Sequence, residues 1–206
     1  MRRKAELCAE KYSIIMNIES LIKQNRSYRR FDGRHPVEKN VLTALVELTR
    51  FVPSARNAQS LRYFITNEPT MNEQIFTTLS WAGYLKDWKG PSETERPTAY
   101  IVVATSIELK NAHTTFDAGV AVQSILLSAV EQGLGGCIIV ALKKETLAEI
   151  IGLDKSLEIV CVIALGKPVE KVVIDTMEDG NYHYWRDENQ VHHVPKRSLK
   201  EILLNP

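Results

Sequence analysis

Arg26, Ser27, Arg29, Arg30 and Arg34 fall within nine positions and form the densest cationic segment of the chain. A guanidinium meets phosphate oxygens through two parallel N–H bonds, and a hydroxyl with free backbone N–H groups completes a cradle for a phosphate monoester. A solvated basic turn has the same composition, so the segment by itself establishes only that an anion could be held there. A second polar segment runs Pro53-Ser54-Ala55-Arg56-Asn57-Ala58-Gln59 between apolar stretches. The amides of Asn57 and Gln59 suit the edge of a planar heterocycle that alternates C=O and N–H, although an ordinary Asx or Ser turn uses the same segment. A third segment is Gly133-Leu134-Gly135-Gly136-Cys137. It is unlike a dinucleotide fingerprint, because its sixth position is Ile138 and it follows a helix and leads into a strand. A helix C-cap explains the glycines structurally; flat backbone approaching a ring system explains them functionally.

Other chemistries have weaker footing. His192 and His193 are adjacent and therefore point different ways, and with His183 they lack the spacing of a metal site, so no metal is expected. There is no G-x-S-x-G, no Walker A and no C-x-x-C, and nothing nominates a nucleophile or another catalytic residue. Trp81, Tyr84 and Trp88 could close over a bound ring as a substrate lid, or pack their loop onto the core.

These segments need elements to position them. Asn17 can cap a short helix bearing Ile18, Leu21 and Ile22, which stops before the basic segment. Pro36 can open a helix with Val41, Leu42, Leu45, Val46 and Leu48 in helical spacing, ending before Pro53. Residues 61–66, 99–105, 135–142 and 158–165 read as strands from their β-branched and apolar content. Helices are predicted over 70–79, 114–132 and 143–151, the second apolar around most of its circumference and so buried in the core or at a dimer interface. Residues 81–97, rich in Trp, Gly and Pro without a period, read as a long ordered loop. From Pro168 onward the tail reads as irregular, with one short helix near 198–203. About four or five strands with helices on both faces make a single α/β or α+β domain.

Composition bounds the function. At 206 residues, 44% apolar and 25% charged, the chain can bury a core and is neither disordered nor a disulfide scaffold. With 26 Lys+Arg against 25 Asp+Glu, global charge gives no reason to expect a nucleic-acid partner. No apolar run reaches the roughly 18 to 20 residues of a membrane helix, so no membrane role is suggested. Cys8, Cys137 and Cys161 make an odd set without metal spacing, which points to a reducing, cytoplasmic setting. The basic start is interrupted by Glu6, Glu10 and Lys11 where a signal peptide would be apolar; residues 1–15 read as an extension and 16–206 as the domain.

Taken in order, the segments resemble the nitroreductase family of FMN-dependent oxidoreductases. The family's Arg-Arg-Ser-x-Arg-x-Phe is similar to Asn25-Arg26-Ser27-Tyr28-Arg29-Arg30-Phe31, and its Pro-Ser-x-x-Asn-x-Gln-Pro-Trp to Pro53–Gln59 followed by Ser60-Leu61. Its Asp-x-Gly-x-x-x-Gln helix and Gly-Leu-Gly-x-Cys-Trp turn resemble Asp117–Gln123 and Gly133–Ile138, and its strand-end Gly-x-Pro resembles Gly166-Lys167-Pro168. Asn25 replaces the usual first Arg, Ser60-Leu61 replaces Pro-Trp and Ile138 replaces Trp, so the pocket walls differ from those of other members.

The resemblance implies an α+β, three-layer α-β-α nitroreductase-like fold with a mixed, mainly antiparallel sheet flanked by helices. It also implies a homodimer with FMN at the subunit interface. On that pattern Arg26 and Ser27 would meet the FMN phosphate, Arg29 the pyrimidine edge, and Ser54, Asn57 and Gln59 the ring edge or ribityl chain, the last two from the other subunit. Gly135 and Gly136 would offer backbone N–H groups near the ring, and Lys196 and Arg197 would reach back to the phosphate. The implied activity is ping-pong hydride transfer from NAD(P)H to a nitroaromatic or quinone-like acceptor. A flavin-binding sensor or storage protein, a reductive dehalogenase and a flavin-modifying enzyme are the alternatives on this fold.

Overall fold

Side-chain alternation along two central strands sorts the core into two halves. The computed structural model describes residues 17–205; the expected extension at 1–15 lies outside the described residues. Strands β1 (Leu61–Thr66), β2 (Ala99–Ser106), β3 (Gly135–Ile139) and β4 (Leu157–Gly166) form one antiparallel sheet in the order β1-β2-β4-β3. Ile101, Val103, Ile163 and Leu165 face one way, against helix α2 (Lys39–Glu47) through Leu42 and Leu45 and helix α4 (Thr114–Glu131) through Val122, Ile125, Leu126 and Ala129. Tyr100, Val102, Val162 and Ala164 face the other way, against Ile75 of α3 (Pro69–Phe76) and Leu147 of α5 (Lys144–Ile150). The result is three layers, helix on sheet on helix. A bulge between Val103 and Ala104 lets Cys161 and Ile159, two apart on β4, enter opposite halves of this core.

Helix α1 (Ile18–Gln24) begins at Asn17, whose side chain accepts the N–H of Ser20 at 2.9 Å, and it packs on α4. It has no buried residue; Ile18 and Ile22 stand exposed. Helix α2 starts at Lys39 after Glu38, later than the expected opening at Pro36, and ends in a 3-10 turn over Leu48–Phe51. Strand β3 stops at Ile139 rather than at 142; Leu142 instead pairs alone with Leu79.

The tail departs most from expectation. Beside the short helix α6 (Leu199–Ile202), three strands form a second sheet: β5 (Val172–Thr176) runs parallel to β7 (His192–Lys196), and β6 (Trp185–Arg186) runs antiparallel to β7. Seven strands therefore stand among the described residues, not four or five. Alternation along β7 sends His192 and His193 to opposite sides, one inward and one toward Trp185 and Asp175.

Candidate functional site

The edge strand β3 draws the basic segment onto the sheet. Ser27 forms a parallel bridge with Gly136, and the Tyr28 N–H donates to the Gly136 carbonyl at 3.0 Å. Only glycine fits in this approach. A Cβ on Gly135 would lie 2.5 Å from Tyr28 Cδ2 and 2.6 Å from Pro168 Cγ; one on Gly136 would lie 2.7 Å from Leu126 Cδ2 and 2.8 Å from the Ala164 carbonyl.

Beside this contact lies a cavity of about 300 Å³ walled by the 25–29 segment, α4 through Gln123 and Leu126, β3 through Gly136 and Ile138, and β7 through His192, Val194 and Lys196, with Tyr184. Among the described residues its charged members are Arg26, Arg29 and Lys196, and no carboxylate lines it. Arg26 Nη2 donates to the Ile22 carbonyl at 2.8 Å while its buried Nε has no partner among the described residues, a donor left for a further acceptor. Asn25 Nδ2 donates to Gln123 Oε1 at 3.3 Å, joining the segment to α4. Arg29 is fixed from the tail: its guanidinium lies 4.8 Å over the Tyr184 ring, and Nη1 is 3.2 Å from His192 Nε2. Burial, and then the neighbouring Arg29 and Arg186, push His192 down to about 4, so the imidazole is neutral at pH 7.

The backbone of the basic segment is shaped by Glu170, whose side chain is fully buried. Its Oε1 accepts the N–H of Arg29 and, at 3.2 Å, that of Arg30, while its Oε2 accepts from Arg186 at 2.9 Å. Arg186 in turn lies 4.2 Å over the ring of Trp88. Arg30 points away from the cavity into a two-pronged pair with Glu95, at 2.9 and 2.6 Å. Phe31 and Gly33 donate backbone N–H groups to Glu95 and Thr94. The 88–95 stretch is thus braced onto the basic segment.

Ser54, Asn57 and Gln59 line a different cavity, of about 420 Å³, between α2, β1 and the N-terminal half of α4. The loop there is strained: Arg56, Asn57 and Gln59 all have positive φ, 56°, 54° and 47°. Ser54 Oγ accepts the Gln59 N–H at 3.2 Å, and Asp117 Oδ1 accepts the Ala55 N–H at 2.9 Å, while the buried Asp117 Oδ2 has no partner among the described residues. A single chain therefore gathers Arg26, Ser27, Arg29, Gly136 and Lys196 in one place and Ser54, Asn57 and Gln59 in another. Gly135 packs behind the first cavity. Arg197, next to Lys196, turns away to Glu201 at 3.5 Å and does not line it.

Trp81, Tyr84 and Trp88 line neither cavity. Trp81 packs on Phe76, with ring centroids 5.7 Å apart, and Trp88 covers Arg186. Tyr84, exposed, stacks on His183 at 4.1 Å and lies 4.9 Å from Tyr184. Glu170, Tyr184 and Arg186 escaped the sequence reading, which weighed His192 only as a metal ligand. The alternation His192, Val194, Lys196 was the available signal, and reading the tail as irregular concealed it.

A family model described as Nitroreductase family matches residues 22–167, and the chain belongs to that family. Solved structures share the fold. An FMN-dependent nitroreductase from Clostridium difficile is 21% identical, with a TM-score of 0.60, covering 75% of this chain and 89% of its own. A nitroreductase family protein from Streptococcus pneumoniae is 14% identical, with a TM-score of 0.66 over 92% of this chain and all of that one. Another from Clostridium novyi is 18% identical, with a TM-score of 0.63, over 90% and 98%. The α+β architecture is that of the family, whose members are oxidoreductases. Among the described residues no helix is long and apolar enough to cross a membrane.

Proposed function

We propose that this chain is an FMN-dependent NAD(P)H oxidoreductase that reduces nitroaromatic or quinone-like acceptors by a ping-pong cycle, working as a homodimer. The observation that carries the reading is the cavity holding Arg26, Arg29 and Lys196 with no carboxylate in its wall among the described residues. Its chemistry suits FMN: the free Nε of Arg26, the Ser27 hydroxyl and Lys196 would hold the phosphate, and Arg29 would face the electron-rich edge of the ring. Bound FMN would supply hydride transfer, taking a hydride from the nicotinamide and giving it to the acceptor. Arg29, held beside the ring edge, would favour the reduced, more negative form by simple attraction. No side chain is required as an acid or base.

The pairing of two half-sites supports the dimer. Ser54, Asn57 and Gln59 sit in a separate cavity of the same chain, and a second copy is the means by which they would reach the first. Exposed apolar side chains on elements that touch one another, Ile18 and Ile22 on α1, Phe51 on the 3-10 turn, and Phe116 and Val120 on α4, agree with such a contact.

The test is anaerobic titration of the FMN-loaded protein with NADH and then NADPH. Bleaching of the flavin bands by either, restored by a quinone or nitroaromatic, is expected. A loaded protein that neither nicotinamide reduces would overturn the enzymatic reading in favour of a flavin-binding protein.

A further inference from the structure

Arg29 has more partners than a surface cation needs, and two of the three, Tyr184 and His192, come from the distant tail. Its guanidinium is stacked 4.8 Å over Tyr184, touches His192 Nε2 at 3.2 Å through Nη1, and donates through the same Nη1 to the Ser27 carbonyl at 3.3 Å. The Tyr184 and His192 rings are 5.2 Å apart and together make a two-sided seat. Tyr184 is itself held by the 81–88 stretch, since its hydroxyl accepts the Tyr84 N–H at 3.4 Å.

The chemistry of the pair settles its direction. A guanidinium carries five N–H donors and no acceptor, so His192 Nε2 must accept, and the single proton of the neutral imidazole must reside on Nδ1. His192 is 1% exposed, and among the described residues Nδ1 has no hydrogen-bond partner. The charged and titratable groups around the ring are Arg29 of the basic segment, Tyr184, Arg186 of β6 and His193 of β7, and among the described residues no carboxylate hydrogen-bonds to it. The imidazole is therefore not half of an ion pair. What it offers is a lone pair aimed at a cation.

We propose that His192 and Tyr184 are positioning residues for Arg29, a lone pair and an aromatic face that lock the guanidinium at the cavity wall before any ligand arrives. Preorganisation is the benefit: a long side chain otherwise loses its rotamer freedom at the moment of binding. This rests on the flavin reading of the cavity only for the identity of the ligand; the locking itself belongs to the free protein.

Two readouts test it. Nitrogen-15 NMR of the flavin-free full chain at pH 7 is expected to show His192 neutral with its proton on Nδ1; a proton on Nε2 would overturn the proposal. Fluorescence titration with FMN is then compared for His192→Phe, which keeps a ring but no acceptor, and His192→Gln, whose carbonyl can accept. His192→Phe is expected to weaken FMN about tenfold, the loss of one hydrogen bond to a charged group, and His192→Gln to restore affinity to within about threefold. Equal loss in both would mean that the ring merely fills space, and no loss in His192→Phe would mean that Arg29 needs no seat; either sinks the proposal. Should His192→Phe fail to fold, the tautomer and the His192→Gln affinity still decide. A wild-type protein that ignores FMN altogether would remove the flavin reading, while the tautomer measurement would still judge the seat.

Discussion

Lys196 and Arg197 are adjacent cations with different surroundings: Lys196 lines the cavity of Arg26 and Arg29, and Arg197 pairs with Glu201 of the terminal helix. Lys196→Ala is expected to weaken FMN by roughly tenfold, the value of one charge-assisted contact, and Arg197→Ala by much less, read by fluorescence titration. Glu170 is a second residue-level test. Replacing it with Ala strands Arg186 in a buried position and releases two backbone N–H groups, so a loss of roughly 3–5 kcal/mol in urea unfolding is expected. His192 gives the pH dependence. The unfolded imidazole protonates near 6.5 and the folded one only near about 4, so between these values the unfolded state binds more protons. Stability is intact above about pH 6.5 and falls as the pH drops toward 4, by up to roughly 3 kcal/mol from this residue; His192→Gln is expected to flatten that part of the profile in denaturant titrations at pH 7 and pH 4.5.

At the scale of elements, the bridge between Ser27 and Gly136 is what places the cations beside β3. Gly136→Ala would push against Leu126 and the Ala164 carbonyl at once, and a melting-point drop equivalent to about 1–3 kcal/mol is expected, with weaker FMN uptake because the basic segment must shift. The elements legible in the sequence were those with a strong period or composition. Residues 61–66 and α4 stand within a residue of their expected bounds, because the β-branched run of one and the long apolar pattern of the other leave no competing structure. The tail sheet was illegible for physical reasons. Strands β5 and β7 are short, carry charges and a proline, and pair in parallel across intervening chain, so their stability comes from tertiary contacts such as Glu170–Arg186 rather than from local pattern. The same cause hid Tyr184, His192 and Val194 of the cavity wall, whereas the basic segment was visible as a cluster of residue types in one short stretch. What the sequence could not convey was that Arg30 faces Glu95 while Arg26 and Arg29 face the cavity.

At the scale of the whole molecule, two cavities among the described residues share helix α4, with Asp117 and Ala121 facing one and Gln123 and Leu126 the other. That arrangement makes assembly a condition of function in this account. Phe116, 74% exposed on the same helix, is the natural probe: Phe116→Asp adds no strain to a monomer but would place charge in an apolar interface. Light scattering is expected to show a wild-type dimer and a folded monomeric variant with sharply reduced FMN affinity; a monomeric wild type that binds FMN fully would end the dimer argument. The central claim, however, is that Arg26 and Lys196 hold a phosphate while Arg29 faces the ring, and comparing the affinities of the purified, flavin-free chain for FMN and for riboflavin tests it most directly. With two or more charge-assisted contacts to the phosphate, FMN should bind at least about a hundredfold more tightly, and the advantage should shrink as salt is raised. Equal affinity for the two flavins, or none for either, would contradict the account.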